Sequence, residues 1–410
     1  MTLDTSVRLV VMGSGERLPL LVDRASGEPL YLPTIYALTT GRMKGRATST
    51  IGQSLRAIGW LIDFLKSAEI DLEARLLDGR FLLIHEIDRL ARHCRRRGQS
   101  GELAVQKSVV RPLTKPVSRK AEVSSEVAGT RIAYIANYLQ WWVDYTVRNR
   151  RLDRQQADSF AKITARALLA LRERGRSGKK PSSPRRGLTR EQQAVLEDMI
   201  HPTSPRNPWK SEVVKARNAL MIRWWLDLGL RRGELLGVSI TDIDFRQNEV
   251  HILRRADDPD DPRREQPNAK TLARVLPINR SLAAETHTYI TRIRNQSNAA
   301  RRHGFLFVER AGAPISLDAV NKLFVELRQA SAGELPADLS PHVLRHTWND
   351  RFSDIADEKR IPEERERRQR EYLMGWRVGS NAAATYTKRS TERRAAEASL
   401  LLQTKGRGTD

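Results

Sequence analysis

The sequence predicts a mainly α-helical chain with a small antiparallel β-sheet. Three observations carry this expectation. Apolar residues recur at helical spacing in both halves, β-prone runs are few and short, and a cation-rich stretch poor in apolar residues separates the halves. At 410 residues the chain is long enough for two or three domains, each burying its own core.

Residues 7–32 set Val7 to Val11 and Leu18 to Val22 between Gly13, Gly15 and Gly27, which predicts a small β-containing N-terminal extension over residues 1–48. Apolar residues then fall at Ile51, Leu55, Ile58, Ile62 and Leu65, at Ile132, Ile135, Leu139, Trp142 and Val143, and at Phe160, Ile163, Ala167 and Leu171. Each set is one face of a helix, so residues 49–172 read as a helical bundle. On a neighbouring face lie Tyr134, Tyr138, Trp141 and Tyr145, which fit core contacts better than nucleic-acid contacts. Residues 173–187 include Lys179, Lys180, Arg185 and Arg186 among Gly, Ser and Pro, and read as a basic linker.

A second domain is expected over residues 188–390. Leu188 to Asp198 opens it with Thr189 as N-cap, and Val213 to Leu228, with Trp224 and Trp225, should be its buried central helix. Glu249 to Arg254 and Leu272 to Ile278 read as strands, and everything after Asn279 except Phe305 to Glu309 reads as helical. Residues 391–410 form a tail whose Ala395, Ala396, Ala398, Leu400, Leu401 and Leu402 predict a short apolar helix.

Lysine plus arginine number 72 against 49 acidic residues, a formal charge of +23, which favours a polyanionic partner over a membrane or an acidic protein. Arg92 to Arg97, with Arg95, Arg96 and Arg97 in a row, fits either a solvated face or phosphate contacts. Cys94 is the sole cysteine, which excludes a disulfide scaffold and a cysteine-based zinc site. No basic-then-apolar leader opens the chain and no eighteen apolar residues run uninterrupted, so a cytoplasmic location is expected. The carboxylates of Asp257-Asp258-Pro259-Asp260-Asp261-Pro262 are adjacent and broken by prolines, which predicts a solvated turn and no metal.

Several chemistry-bearing residues remain. They are Arg231 in Gly229-Leu230-Arg231-Arg232-Gly233-Glu234-Leu235, Lys270 in Ala269-Lys270-Thr271, His342-Val343-Leu344-Arg345-His346, Gly375-Trp376 and Tyr386. Such a set suits phosphoryl transfer. Guanidinium groups are charged at any working pH and offer a planar fork of donors to non-bridging phosphate oxygens. A phenol can serve as nucleophile once its proton is taken.

The order and surroundings of these residues resemble the tyrosine recombinase, or phage integrase, family of site-specific DNA recombinases. The likeness is good from about Leu188 to Tyr386 and holds only in outline before that. It implies a helical core-binding domain and a mixed α/β catalytic domain closing around duplex DNA as a C-shaped clamp. Arg231, Lys270, His342, Arg345, Trp376 and Tyr386 would be catalytic, with Glu234 and His346 supporting. Lys270 would protonate the departing 5′ oxygen, Arg274 being the other cation in that stretch, and Trp376 would donate an N–H but shuttle no proton. Tyr372, which precedes the Gly-Trp element, is the lesser candidate for nucleophile. The resemblance implies strand cleavage through a 3′-phosphotyrosyl link with no cofactor, no metal and no ATP. It also implies duplex DNA with specific sites as partner, a monomer when free, a homo-tetramer on synapsed DNA, accessory DNA-bending or directionality proteins, and nucleoid association when bound. Two departures stand out: the gap from Trp376 to Tyr386 is one residue longer than usual, and Asp354 to Arg370 is unusually charged. Type IB topoisomerases share the same residues but reseal the original strand, and a silent DNA-binding regulator could keep the fold. Both stay open at this point.

Overall fold

The structure, a computed structural model, describes residues 4–97, 122–149, 154–176, 187–267 and 271–379, with Ala395, Ala398–Leu400 and Leu402. The chain divides into two compact units, Met1–Met12 with Glu16–Pro181, and Gly13–Gly15 with Ser182–Asp410. Among the described residues helices dominate both, and each holds one small antiparallel sheet.

In the first unit, β1 (Thr5–Val11) and β2 (Arg17–Asp23) form a hairpin in the register Thr5↔Asp23 to Val11↔Arg17. Helix α1 (Tyr31–Tyr36) runs on as a π-helical turn over Ala37–Arg42. Helix α2 (Thr48–Ser67) buries Ile51, Leu55, Ile58 and Leu65 in a core that also contains Leu21 and Tyr36. The hairpin can lie close because α2 presents glycine to it. A Cβ at Gly59 would stand 3.0 Å from Thr5 Oγ1. Helix α3 (Leu72–Leu77) is capped by Asp71, which accepts from Ala74 N at 2.9 Å, and precedes α4 (Ile84–His93).

Long helices α5 (Ser125–Asn149) and α6 (Arg154–Arg174) complete the bundle. Tyr138 is buried and packs against Tyr36 and Trp141 at centroid separations of 5.2 and 5.7 Å, so this part of the aromatic face belongs to the core. On α6 the expected stripe is wrong at one position. Ile163 is 51% exposed, and the inward positions are Phe160, Thr164, Leu168 and Leu171. Thr164 tolerates burial because its hydroxyl donates to Phe160 O at 2.9 Å.

The second unit opens as its turn chemistry predicts. The Thr189 hydroxyl accepts from Gln192 N at 3.2 Å while the Gln192 side chain accepts from Thr189 N at 3.1 Å, a reciprocal cap on α7 (Arg190–Ile200). Helix α8 (Glu212–Leu228) is the buried centre, with Trp224 and Trp225 fully enclosed and Trp224 Nε1 donating to Thr286 Oγ1 at 3.0 Å. It ends at Gly229, whose φ of 61° lies in the left-handed region. The short helix α9 (Arg232–Leu236) follows.

Strands β3 (Ile243–Asp244), β4 (Glu249–Ile252) and β5 (Arg274–Pro277) pair antiparallel in the order β3-β4-β5, Val250 facing both Ile243 and Leu276. The strands are shorter than expected. Regular pairing stops at Ile252 and begins again at Arg274. The acidic turn is not wholly solvated either: Asp261 is buried and pairs with Arg263 at 2.8 Å. Arg263 in turn donates to Leu236 O at 3.0 Å and Ile315 O at 3.1 Å, so this carboxylate is a structural counter-ion.

After Asn279 come α10 (Arg280–Thr288), a π-helical turn, α11 (Leu317–Ala330), α12 (Pro341–Glu358) and α13 (Glu363–Met374). Non-helical chain around residues 303–316 is wider than the expected break, and includes the bridges Ser239↔Phe305 and Val308↔Pro314. The charged stretch before Gly375 is accommodated by burying charges in partnership. Arg370 is fully buried, pairs with Glu366, and donates to Asn349 O at 3.0 Å and Ser353 Oγ at 2.8 Å, all from α12 except Glu366. Among the described residues, no helix is long and apolar enough to cross a membrane. In the tail, Ala395, Ala398–Leu400 and Leu402 are helical, with Leu400 and Leu402 exposed.

Candidate active site

The site is organised by an anion. Glu234 lies in the first turn of α9, where its side chain accepts from the backbone N–H of Arg231 at 2.9 Å and so fixes the turn that presents that arginine. The carboxylate is fully buried. It pairs with Arg274 at 2.9 Å, accepts a short hydrogen bond from the Thr271 hydroxyl, and lies 3.4 Å from Arg231 Nη1 and 3.9 Å from Arg345 Nη1. Burial alone would raise the Glu234 pKa. The charge and hydrogen bond of Arg274, the charge of Arg345 and the Thr271 hydroxyl outweigh it and hold the carboxyl below its ordinary value.

Two glycine-terminated helices bring the guanidinium groups together. Gly229, at the end of α8, offers its carbonyl to Arg345 Nη1 at 2.6 Å. Met374, the last residue of α13, accepts from Arg345 Nη2 at 3.2 Å and from Arg231 Nη1 at 3.4 Å. Helix C-terminal carbonyls carry partial negative charge, so this is a favourable place to gather cations. Both turns require glycine, since a Cβ at Gly229 would meet Trp348 at 2.9 Å and one at Gly375 would meet Leu272 O at 2.9 Å. Arg345 is almost wholly buried whereas Arg231 keeps 37% of its side chain exposed, so the two differ in how they can meet a ligand.

Arg231 and Arg345 therefore stand together, with Glu234 between them. Trp376 is buried against Met374, with the Arg345 guanidinium 5.6 Å from its ring centroid. His342 is exposed near the start of α12, and its ring meets that of buried His346, Nε2 to Nε2 3.1 Å. Tyr372 is exposed and its hydroxyl donates to Val275 O at 3.3 Å. Lys270 and Tyr386 lie outside the described residues, as do Lys179, Lys180, Arg185 and Arg186, whereas Arg95, Arg96 and Arg97 are exposed beyond α4.

Sequence reading gave Arg274 and Thr271 no part in holding Glu234. Arg274 is buried on Glu234 and donates through Nε to Leu373 O at 2.7 Å, tying β5 to the end of α13. A signal existed. An arginine at the start of a strand whose inner face is apolar needs a buried anion, and Glu234 is the acid of the neighbouring motif.

Residues 194–357 match the model of the phage integrase family, a stretch that contains Arg231, Glu234, His342, Arg345 and His346. The matched stretch lies within the second unit. Trp376 and Tyr386 lie beyond the matched stretch. Among curated relatives, this chain is 23% identical over 153 residues to the tyrosine recombinase XerD of Halalkalibacterium halodurans, covering 37% of this chain and 44% of that one. It is 29% identical over 138 residues to the tyrosine recombinase XerC of Roseiflexus castenholzii, covering 33% and 38%. The match thus spans less than half the length of these relatives. Among solved structures, the XerH site-specific recombinase bound to palindromic difH substrate aligns with a TM-score of 0.42 at 13% identity, over 85% of this chain and 96% of that one.

Proposed function

We propose that this protein is a site-specific DNA recombinase or integrase that cuts and rejoins DNA through a 3′-phosphotyrosyl link on Tyr386. The observation that carries the reading is the convergence of Arg231 and Arg345, both in the stretch that matches the phage integrase family model, on the Met374 carbonyl at 3.4 and 3.2 Å. Two guanidinium groups held this close can grip the non-bridging oxygens of one phosphodiester. Their hold tightens as negative charge builds in the transition state.

In the proposed reaction the Tyr386 oxygen forms a bond to phosphorus and the bond from phosphorus to the 5′ oxygen breaks. The phenol proton goes to His342, and Lys270 supplies a proton to the departing 5′ oxygen. Arg231, partly exposed, engages the phosphate from the groove side, while Arg345 acts from within the fold. Trp376 packs beneath Arg345 and shapes the floor. Energy of the broken bond is kept in the ester, so a 5′ hydroxyl from another strand can reseal the DNA without metal or ATP.

The partner is duplex DNA bearing specific sites. The formal charge of +23 supports this, and so do curated relatives named as tyrosine recombinases. Strand exchange would take place in a tetramer on two synapsed sites, with accessory proteins setting direction. The test is covalent trapping on a nicked suicide duplex. Wild type should form a protein–DNA adduct and Tyr386→Phe should not. Specific binding with no adduct in either would identify a silent regulator, and adducts resolved only to relaxed, unexchanged DNA would identify a topoisomerase-like activity.

A further inference from the structure

We propose that Asn349, oriented by Arg370, is a positioning residue for the two guanidinium groups. It sets where the Met374 carbonyl, on which Arg231 and Arg345 converge, stands against α12. The inference rests on the reading of that pair as the phosphate grip and deepens it.

The charged stretch before Gly375 supplies the parts. On α13 the buried positions include Glu366, Arg370 and Met374, spaced four apart and so on one face. Such an inward face is ordinarily apolar, yet two of these positions carry charge. Arg370 is fully buried and pairs with Glu366, and its guanidinium reaches two successive turns of α12. Nη1 donates to Asn349 O and to Asn349 Oδ1, each at 3.0 Å, and Nη2 donates to Ser353 Oγ at 2.8 Å.

Those bonds fix which way the Asn349 amide faces. Its oxygen must meet the Arg370 donor, because a flipped amide would set N–H against N–H. The amide nitrogen is thereby turned to the other side, where it donates to Arg345 O at 2.8 Å and to Met374 Sδ at 3.5 Å. One buried amide thus holds the backbone of Arg345 and the side chain of Met374, while the Met374 carbonyl accepts from Arg345 Nη2 at 3.2 Å and Arg231 Nη1 at 3.4 Å. A buried ion pair adds little stability over apolar residues of similar volume, so the value of Glu366 and Arg370 here is placement. A planar fork bonded at several points admits one register of α13 on α12. Misplacing catalytic groups by about 1 Å costs about a hundredfold in rate.

Two measurements test this. Asn349→Leu keeps the volume and leaves Arg370 its bonds to Glu366, Ser353 and the backbone of residue 349, so the fold should persist. On the suicide duplex its single-turnover cleavage should fall about tenfold to a hundredfold with DNA binding unchanged. Arg370→Lys keeps a cation beside Glu366 but loses the fork, and should slow cleavage as well. Because Arg370 acts through Asn349, the two effects should not add, and Arg370→Lys should cost little more once Asn349 is gone. Wild-type cleavage by Asn349→Leu, losses that multiply in the double variant, or a loss of rate matched by a loss of binding would each overturn the proposal. The second measurement needs no DNA. In spectra of the full chain carrying ¹³C-methyl methionine, the Met374 signal, assigned by its loss in Met374→Leu, should move in Arg370→Lys as the amide is released. A Met374 signal unmoved by Arg370→Lys would also overturn it. Failure of the wild type to form any adduct would instead sink the recombinase reading, and the methyl spectra tell the two failures apart.

Discussion

Glu234→Gln removes one negative charge and almost no volume, so it isolates the electrostatic role of the carboxylate. In the wild type that carboxylate pairs with Arg274 at 2.9 Å and lies 3.9 Å from Arg345, all three side chains being buried. Leaving a buried cation without its anion costs about 3–5 kcal/mol. For a unit of this size each kcal/mol moves the melting temperature by about 2–4 °C, so the second unit should melt about 6–20 °C lower. The pH dependence has a definite sign. The Glu234 pKa is held below its ordinary value in the folded state, so its contribution is fully present above that ordinary value of 4.5 and is lost as pH falls through the folded pKa. Glu234→Gln should therefore lower stability most at neutral pH and flatten the acid limb of the stability curve. Thermal unfolding of the full chain, followed by calorimetry from neutral pH to below pH 4, reads both effects. A variant that melts within a degree or so of wild type at neutral pH would refute the hub. The double variant Glu234→Met with Arg274→Met should lose less than Glu234→Gln, because no charge is then stranded between them.

Gly375→Ala should destabilise the second unit by at least the ~1–2 kcal/mol of a left-handed non-glycine residue, more because its Cβ would meet Leu272 O at 2.9 Å, and denaturant melts check this. Cys94 is fully buried and its thiol pKa is pushed up to about 12, chiefly by burial, so it should resist iodoacetamide in the native protein and react on unfolding, as mass spectrometry would reveal. If Arg95, Arg96 and Arg97 touch phosphates, replacing each with alanine should reduce the steepness of DNA affinity against log salt by about 0.9 for every phosphate no longer neutralised; an unchanged slope would make them a solvated face.

Much of the fold was legible because its punctuation is local. Thr189 announces a helix start, Gly229 announces a helix end, and the stripe Ile51, Leu55, Ile58 predicts a buried face whatever it packs against. What could not be read depends on partners far along the chain. Ile163 and Thr164 exchange places because neighbouring helices, not α6 alone, decide which positions are enclosed. Asp261 looked solvated until Arg263 and the carbonyls of Leu236 and Ile315 enclosed it. In the candidate site, the motifs named Arg231, Glu234 and Arg345. That Glu234 also answers to Arg274, 40 residues away in sequence, is a fact of tertiary structure.

The strand that follows Lys270 in sequence and the turn that leads on toward Tyr386 are stitched to each other. Leu272 N donates to Gly375 O at 3.0 Å, Arg274 Nε to Leu373 O at 2.7 Å, and the Tyr372 hydroxyl to Val275 O at 3.3 Å. A tug on the backbone upstream of Thr271 is therefore felt downstream of Trp376, and the reverse. In the proposed chemistry the described chain next to the acid and the described chain leading toward the nucleophile would thus share one mooring.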